Sequence, residues 1–418
     1  MARPAHYLEA GIDRAVPPAF VSLVVATVAV LVAGLVSVVA LTTSINNSPG
    51  DAVSALLSAA SSGNVTGMLD AVDPVERAAI APALDATVAD LEKLGILAPG
   101  TNLSAIPGVG VTFTGVTTQT ESLGDRSDLA AVVFTGGTAL AHVDPSLLPL
   151  GTVVKGLMGS VTGNATGTVP DVPVPLAGPH AEDHPIATIQ RDGQWYVSIG
   201  YTVAEVARRA AGLALPSPAS ALPAVGESTA EGVARTLVAA ATAGDITRLI
   251  ELTDPQESAP LHDYGSLIIQ SAGHVPAPPV TVTSLDLATS PVDGGTLVTV
   301  TDFSASVGHG DTVALTPDGC LRFSSPTTTT QQVCQPAGTN LLAGYGVVAV
   351  ERNGTFYLDP YRTVLDDVEH LVAGLNLGTI GALLKGGTPG GLLGVVSGLL
   401  RPATTQSTSS SAPSPLGG

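Results

Sequence analysis

Apolar positions recur at helical spacing near the start of two separate stretches of the chain. Val53, Leu56, Leu57 and Ala60 form one series, and Val233, Leu237 and Ala240 form the other. Each series lies in a segment with the same punctuation, "SPGDAVSALLSAASSGNVTGMLDAVDPVE" over 48–76 and "STAEGVARTLVAAATAGDITRLIELTDPQE" over 228–257. Ser48 and Ser228 are placed as N-caps, with Asp51 and Glu231 three residues on, so each start has the form of a capping box. Pro49 falls at a first helical position, where no backbone N–H is needed. Gly63-Asn64 and Gly244-Asp245 end the first helix, and a short second helix follows. Asp73-Pro74 and Asp254-Pro255 then open a third, with Glu76 or Glu257 set for a second capping box.

After these helices the period changes from helical to alternating. "VGVTFTGVTTQTESL" (109–123) and "DLAAVVFTGGTALAHV" (128–143) flank a Gly124-Asp125 turn. In the second stretch "VTVTSLDLATSPV" and "TLVTVTDFSASV" flank Asp293-Gly294-Gly295, and Pro317-Asp318-Gly319 marks a further hairpin turn before "CLRF". Both stretches close on one motif, "RDGQWYVSIGY" (191–201) and "RNGTFYLDPYR" (352–362). Asp192-Gly193 or Asn353-Gly354 turns the chain into a last strand. "YTVAEVARRAAGL" and "RTVLDDVEHLVAGL" then read as amphipathic helices. On the second of these, Asp366, Asp367 and Glu369 interrupt the stripe of Val364, Leu365, Val368 and Leu371 and are expected to form a solvated face. Trp195, the only tryptophan, and its counterpart Phe356 are expected in the core. The fold class is therefore α+β, with two versions of one domain at 44–213 and 228–375. The Pro-rich stretch 214–227, "ALPSPASALPAVGE", reads as a semi-stiff linker.

Ahead of this repeat the chain carries no charge from Ala19 to Leu41, long enough as a helix to cover a hydrocarbon core of about 30 Å. A transmembrane helix is expected within 16–43, with 1–15 cytoplasmic. A cleaved signal peptide is the competing reading, with a Val-x-Ala stretch at 38–40, but its apolar region would be shorter. Arg3 and Arg14 precede the span and no Lys or Arg follows until Arg77, so the positive-inside rule puts the remainder outside the plasma membrane. Ala29, Ala33 and Ser37 fall at four-residue steps, a small-residue stripe through which such helices associate. Beyond the second domain, the Gly-rich apolar segment 376–401 is interrupted too often to span a membrane, and 402–418 reads as a disordered tail.

Composition narrows the partners. The net charge of −19 disfavours nucleic acid and anionic surfaces, because like charges repel. Only Lys93, Lys155 and Lys385 are lysines, a bias that resembles actinobacterial proteins of high GC content. Cys320 and Cys334 are the only cysteines, and a disulfide between them agrees with an oxidising compartment.

Candidate chemistry is sparse. His180, Glu182, Asp183 and His184 in "HAEDH" form the densest group of potential metal ligands, but Pro185 follows and places them in a loop, so a solvated polar turn is expected. His262, Asp263 and Tyr264 are neighbours on a helix, about 100° apart, and cannot converge on one substrate. No Gly-x-Ser-x-Gly elbow, phosphate-binding loop or His-Glu-x-x-His is present.

The order of helix, short helix, Asp-Pro helix and antiparallel sheet ending in Gly-x-aromatic-Tyr resembles the nuclear-transport-factor-2-like, or cystatin-like, α+β cone. The anchor followed by two such units, with "LHDY" (261–264) and "WYVSIGYT" (195–202), looks like actinobacterial single-pass membrane proteins of this kind. The resemblance covers 48–375 and implies two tandem cones in which helices pack on a curved sheet. The helix after each closing strand departs from the simple cone; it either covers a sheet face or plugs the pocket. Because the cone hosts enzymes and binding modules alike, the fold carries no activity. The expectation is a non-enzymatic envelope protein without cofactor, binding other envelope proteins or itself. The alternative is a carrier or sensor that holds a small hydrophobic molecule or lipid in one or both cones.

Overall fold

The computed structural model describes residues 46–144, 146–161, 173–178, 184–273, 277, 279–307, 310–316, 320–326, 328–334 and 346–373. The expected membrane helix with Ala29, Ala33 and Ser37 lies outside them, as do His180, Glu182, Asp183, the Pro317-Asp318-Gly319 turn and everything after 373. Among the described residues, no helix is long and apolar enough to cross a membrane.

The architecture is α+β. Helices α1 (Pro49–Ser62), α2 (Val65–Asp70) and α3 (Pro74–Lys93) precede strands β1 (Val109–Ser122) and β2 (Leu129–Val143). Helix α4 (Thr152–Val161), β3 (Pro173–Pro175), β4 (Ile186–Arg191), β5 (Gln194–Val197) and the closing helix α5 (Ile199–Ala210) complete the first unit. The second repeats the plan with α6 (Ala230–Ala243), α7 (Ile246–Glu251), α8 (Ala259–Ala272), β6 (Val280–Val292) and β7 (Gly295–Val307). It ends with β11 (Gly346–Arg352), β12 (Thr355–Leu358) and the closing helix α9 (Pro360–Ala373). Where the first unit has α4 and β3, the second has a meander of β8 (Asp311–Leu315), β9 (Cys320–Ser325) and β10 (Thr328–Cys334). Both sheets are antiparallel, ordered β1-β2-β4-β5 and β10-β9-β8-β7-β11-β12, with β3 on β2 and β6 on β7.

Register shifts bend the long hairpins. In β1–β2 the shift between Thr114 and Thr117 coincides with Gly115 at φ 63° and Gly137 at φ 113°. An added side chain at Gly137 would also strike Val116 Cα at 2.8 Å, so the bulge needs glycine twice over. The resulting curl gives each sheet a concave side.

Adjacent strand residues face opposite sides of a sheet, and here both sides are covered. Ala130, Val132 and Phe134 of β2 join Leu56, Ala59, Met68, Trp195 and Val197 beneath α1 and α2. Leu129 and Ala131 face the other way, with Ala187, Ile189 and Tyr201. The second sheet divides likewise: Val298, Ala349 and Leu358 lie under α6, while Leu297, Val348 and Val350 face away. Trp195 is in the core as expected, and Phe356 packs against the second core. The closing helix thus covers a sheet face and does not plug the space beneath α1.

Local expectations hold in part. Ser48 caps α1, and Gly63 and Gly244 end α1 and α6 in the left-handed conformation. Asp192 and Asn353, each followed by a left-handed glycine, make the two hairpin turns. The second opening helix is capped by Thr229, whose Oγ1 accepts from Gly232 N–H, and not by Ser228. The third helices differ too: α3 starts at Pro74, whereas residues after Asp254 form a turn and α8 starts at Ala259 behind Ser258. The stretch 214–227 is no free linker. Leu222 N–H donates to His262 O, Val225 N–H to Glu251 O, and Glu227 pairs with Phe356 as an added β-bridge. Cys320 and Cys334 lie directly opposite in the β9–β10 register, the backbone placement a cross-strand disulfide requires.

Candidate functional site

The two closing motifs build the same frame around two buried aspartates. Arg191 pairs side-on with Asp73 (Nη2–Oδ2 2.9 Å), and Arg352 with Asp254 (Nε–Oδ1 2.9 Å). Asp73 N–H donates to Val197 O and Asp254 N–H to Leu358 O, both at 2.8 Å. Thr202 and Thr363 accept from the backbone of Ala187 and Val348 and donate to the first carbonyl of their own helices. A buried carboxylate needs such a partner, because an unpaired ion is strongly disfavoured away from water.

Three residues after each aspartate, the frames diverge chemically. Glu76 was expected to close a capping box on its own helix; instead it reaches the first turn of α5. It accepts from Ser198 Oγ at 2.7 Å, Ile199 N–H at 2.7 Å and Gly200 N–H at 2.9 Å. A helix N-terminus exposes unsatisfied N–H groups and favours negative charge. Burial nonetheless raises Glu76 to about 7, opposed by those three donors. At the matching place, Glu257 meets Asp359 in place of Ser198, and Pro360 offers no N–H. Burial, then the neighbouring Asp359, push Glu257 up to about 8, against the pull of Arg362. Its Oε2 and the hydroxyl of Ser258 are buried without a hydrogen-bond partner.

These groups lie on a seam between the units. Closing helix α5 packs on α8 of the second unit, and closing helix α9 packs on α3 of the first. This reciprocal exchange is the pattern of a two-fold interface. On one side Tyr201 and Arg126 both bond Asp263, with Arg126 also held by Asp128 at 2.6 Å. Tyr264 donates to Glu205 at 2.6 Å, and Arg208 and Arg209 complete that fully buried carboxylate. Burial alone would raise Glu205, but Arg208, Tyr264 and Arg209 hold it below its ordinary value. On the other side Arg362 reaches Asp293 O, Ala78 O, Asp359 and Glu257. Tyr361 is raised by burial and by the acids facing it, Glu76, Asp359, Glu257 and Asp73.

The expected solvated face of α9 is inverted by this packing. Asp366, Asp367 and Glu369 are half-buried and raised by burial, with Asp90 and Lys93 of α3 close to Glu369. Val364 and Val368 are the exposed residues instead. Val203, at the position of Val364 in the first closing helix, is 63% exposed against 61% for Val364.

The residues singled out by type do not converge. His262 sets its ring nitrogens 3.2 Å from Leu222 O and 3.1 Å from Thr253 O, Asp263 faces Tyr201, and Tyr264 faces Glu205. His184 stands in an exposed bend. Among the described residues, no group of three or more His, Cys, Asp or Glu could hold a metal ion. Two hollows stand out there. One, of about 30 Å³ beside Arg126 and Asp263, has room for about one water. The other is an open groove of about 390 Å³ between α1 and β1, lined by Leu57, Phe113, Val116, Ser54, Ser58 and Thr118. The frame within each unit has a sequence signal, since Arg opens both closing motifs and Asp opens both Asp-Pro segments. No protein-family model, curated protein or solved structure matches the chain.

Proposed function

We propose that the chain is a membrane-anchored, extracytoplasmic and non-catalytic module of the cell envelope, built as two tandem nuclear-transport-factor-2-like cones and acting as an interaction scaffold. The carrying observation is how the polar side chains of the seam are used. Asp73, Asp254, Glu205 and Asp263 are each tied to an arginine. The ties of Asp73, Asp254 and Asp263 join separate elements, Glu205 is held by its own helix and by Tyr264 of α8, and none faces a hollow of substrate size. The space beneath α1 and α2 is occupied by Leu56, Met68, Phe134 and Trp195. A pocket for a lipid or metabolite would need room of about 300 Å³ or more that buries most of its ligand. The apolar surface left to a partner includes the valines that both closing helices present at the same position.

A second reading, a carrier or sensor for a small hydrophobic molecule, is favoured by the α1–β1 groove with Leu57, Phe113 and Val116. In-cell crosslinking separates the two readings. A photo-crosslinking residue replaces Val203, Val364, Leu57 or Phe113 in turn, with the exposed Asp125 position as control. The scaffold reading expects the same discrete protein adducts from both valine sites and none from the control. Lipid or metabolite adducts at Leu57 or Phe113, with no protein adduct at either valine, would overturn it.

A further inference from the structure

Gly200 and Tyr361 occupy the same position of the two units, the third residue after the closing strand. They also touch each other. A methyl group built on Gly200 would lie 2.6 Å from the Tyr361 hydroxyl oxygen, 2.8 Å from Pro260 Cγ and 3.2 Å from Glu76 Oε1. Contact between equivalent positions occurs only beside a two-fold axis, where a residue lying at the axis faces its own counterpart. The reciprocal packing of α5 on α8 and α9 on α3 places that axis in the seam.

We infer that the seam is an interface for unlike halves, in which Tyr361 is a knob, Gly200 its socket, and the pair directs the first unit onto the second rather than either onto its own kind. Two copies of the second unit would bring Tyr361 against Tyr361 in a space that admits one ring. Two copies of the first would bring Gly200 against Gly200 and leave a void. Overpacking and cavities both destabilise, so each like pairing is disfavoured. The flanking polar contacts are unlike in the same sense. Tyr201 answers Asp263 across one side of the seam, and its counterpart Arg362 answers the Ala78 carbonyl across the other. Discrimination by a misfit built against the wrong partner is how specific interfaces reject alternatives. The inferred partner of this surface is therefore the other half of the same chain, and this holds whichever functional reading is right.

The test is a mutant cycle in the full chain, read by urea unfolding and by molar mass in solution. Gly200→Ala should shift the unfolding equilibrium about tenfold or more toward the unfolded state. Tyr361→Phe removes the nearest atom, so Gly200→Ala should cost less in that background. Exchanging the residues, Gly200→Tyr with Tyr361→Gly, should recover much of what Gly200→Tyr alone loses, with the molar mass in solution unchanged from that of wild type. Equal cost of Gly200→Ala in both backgrounds, or failure of both variants to fold, would assign the constraint to Pro260 and Glu76 and overturn the inference. An exchange variant no better than Gly200→Tyr alone would do the same.

Discussion

Replacing Glu257 with glutamine removes one of two neighbouring buried acids and leaves no arginine orphaned. Arg352 keeps Asp254 at 2.9 Å, and Arg362 keeps Asp359 at 3.0 Å. Removing a partner from a buried ion pair usually destabilises because a charge is left alone. Here the lost carboxylate has one oxygen without a partner and a second acid beside it. The acid is raised from 4.5 to about 8 by burial first and Asp359 second. A raised folded-state value means that the folded protein holds its proton longer than the unfolded chain. The stabilisation is fully present below pH 4.5 and is lost as pH rises through about 8. Titration through that interval corresponds to at most about 5 kcal/mol, and to about 2–3 kcal/mol once Arg362 and Arg352 respond to the new charge. Glutamine cannot ionise, so the variant escapes this loss. Urea unfolding of wild type and Glu257→Gln at pH 5.5, 7 and 9 should give near-equal stability at the lowest pH. The variant should lead by about 2 kcal/mol or more at pH 9. A variant that is less stable by the same amount at every pH would refute the reasoning, because the charge would then be contributing favourably.

In the first unit Glu76→Gln loses an acceptor for one of three donors at the α5 N-terminus, and urea unfolding at pH 5 should show a loss of about 1–3 kcal/mol. Because Glu76 is itself raised to about 7 by burial, wild type loses stability as pH rises through that value and the deficit of the variant should shrink by pH 8. Arg191→Ala leaves Asp73 buried without its cation and should destabilise by about 3 kcal/mol, with Arg191→Lys recovering only part because the side-on pairing is lost. Cys320 and Cys334 should resist thiol labelling in the folded, unreduced protein, and reduction should lower stability by about 3 kcal/mol. Full labelling without reductant would count against the disulfide.

Much of the architecture was legible because it is written locally. Gly63, Gly244, Asp192-Gly193 and Asn353-Gly354 each act within a few residues of themselves, and their conformations follow from their own chemistry. Glu76 and Glu257 misled for an instructive reason. A glutamate three residues after an Asp-Pro looks the same in sequence whether it closes its own helix or caps a helix from beyond the sheet. The helix start at Ala259 and the Thr229 cap were lost to neighbours of equal cap quality, Asp254 and Ser228. The inverted face of α9 had no local signal at all. Its acids are half-buried because the surface that meets them is α3 of the other unit, itself rich in charge. Pairing between Arg191 and Asp73, or contact between Gly200 and Tyr361, spans separations for which no spacing rule exists.

The claim that this chain works through surfaces rather than through an enclosed ligand is tested most directly by native mass spectrometry of the intact, full-length protein. The account predicts a mass equal to the bare chain, unchanged when the spray energy is raised. A mass increment of one lipid or metabolite per chain, released only at high energy and lost in a Phe113→Asp variant, would contradict it.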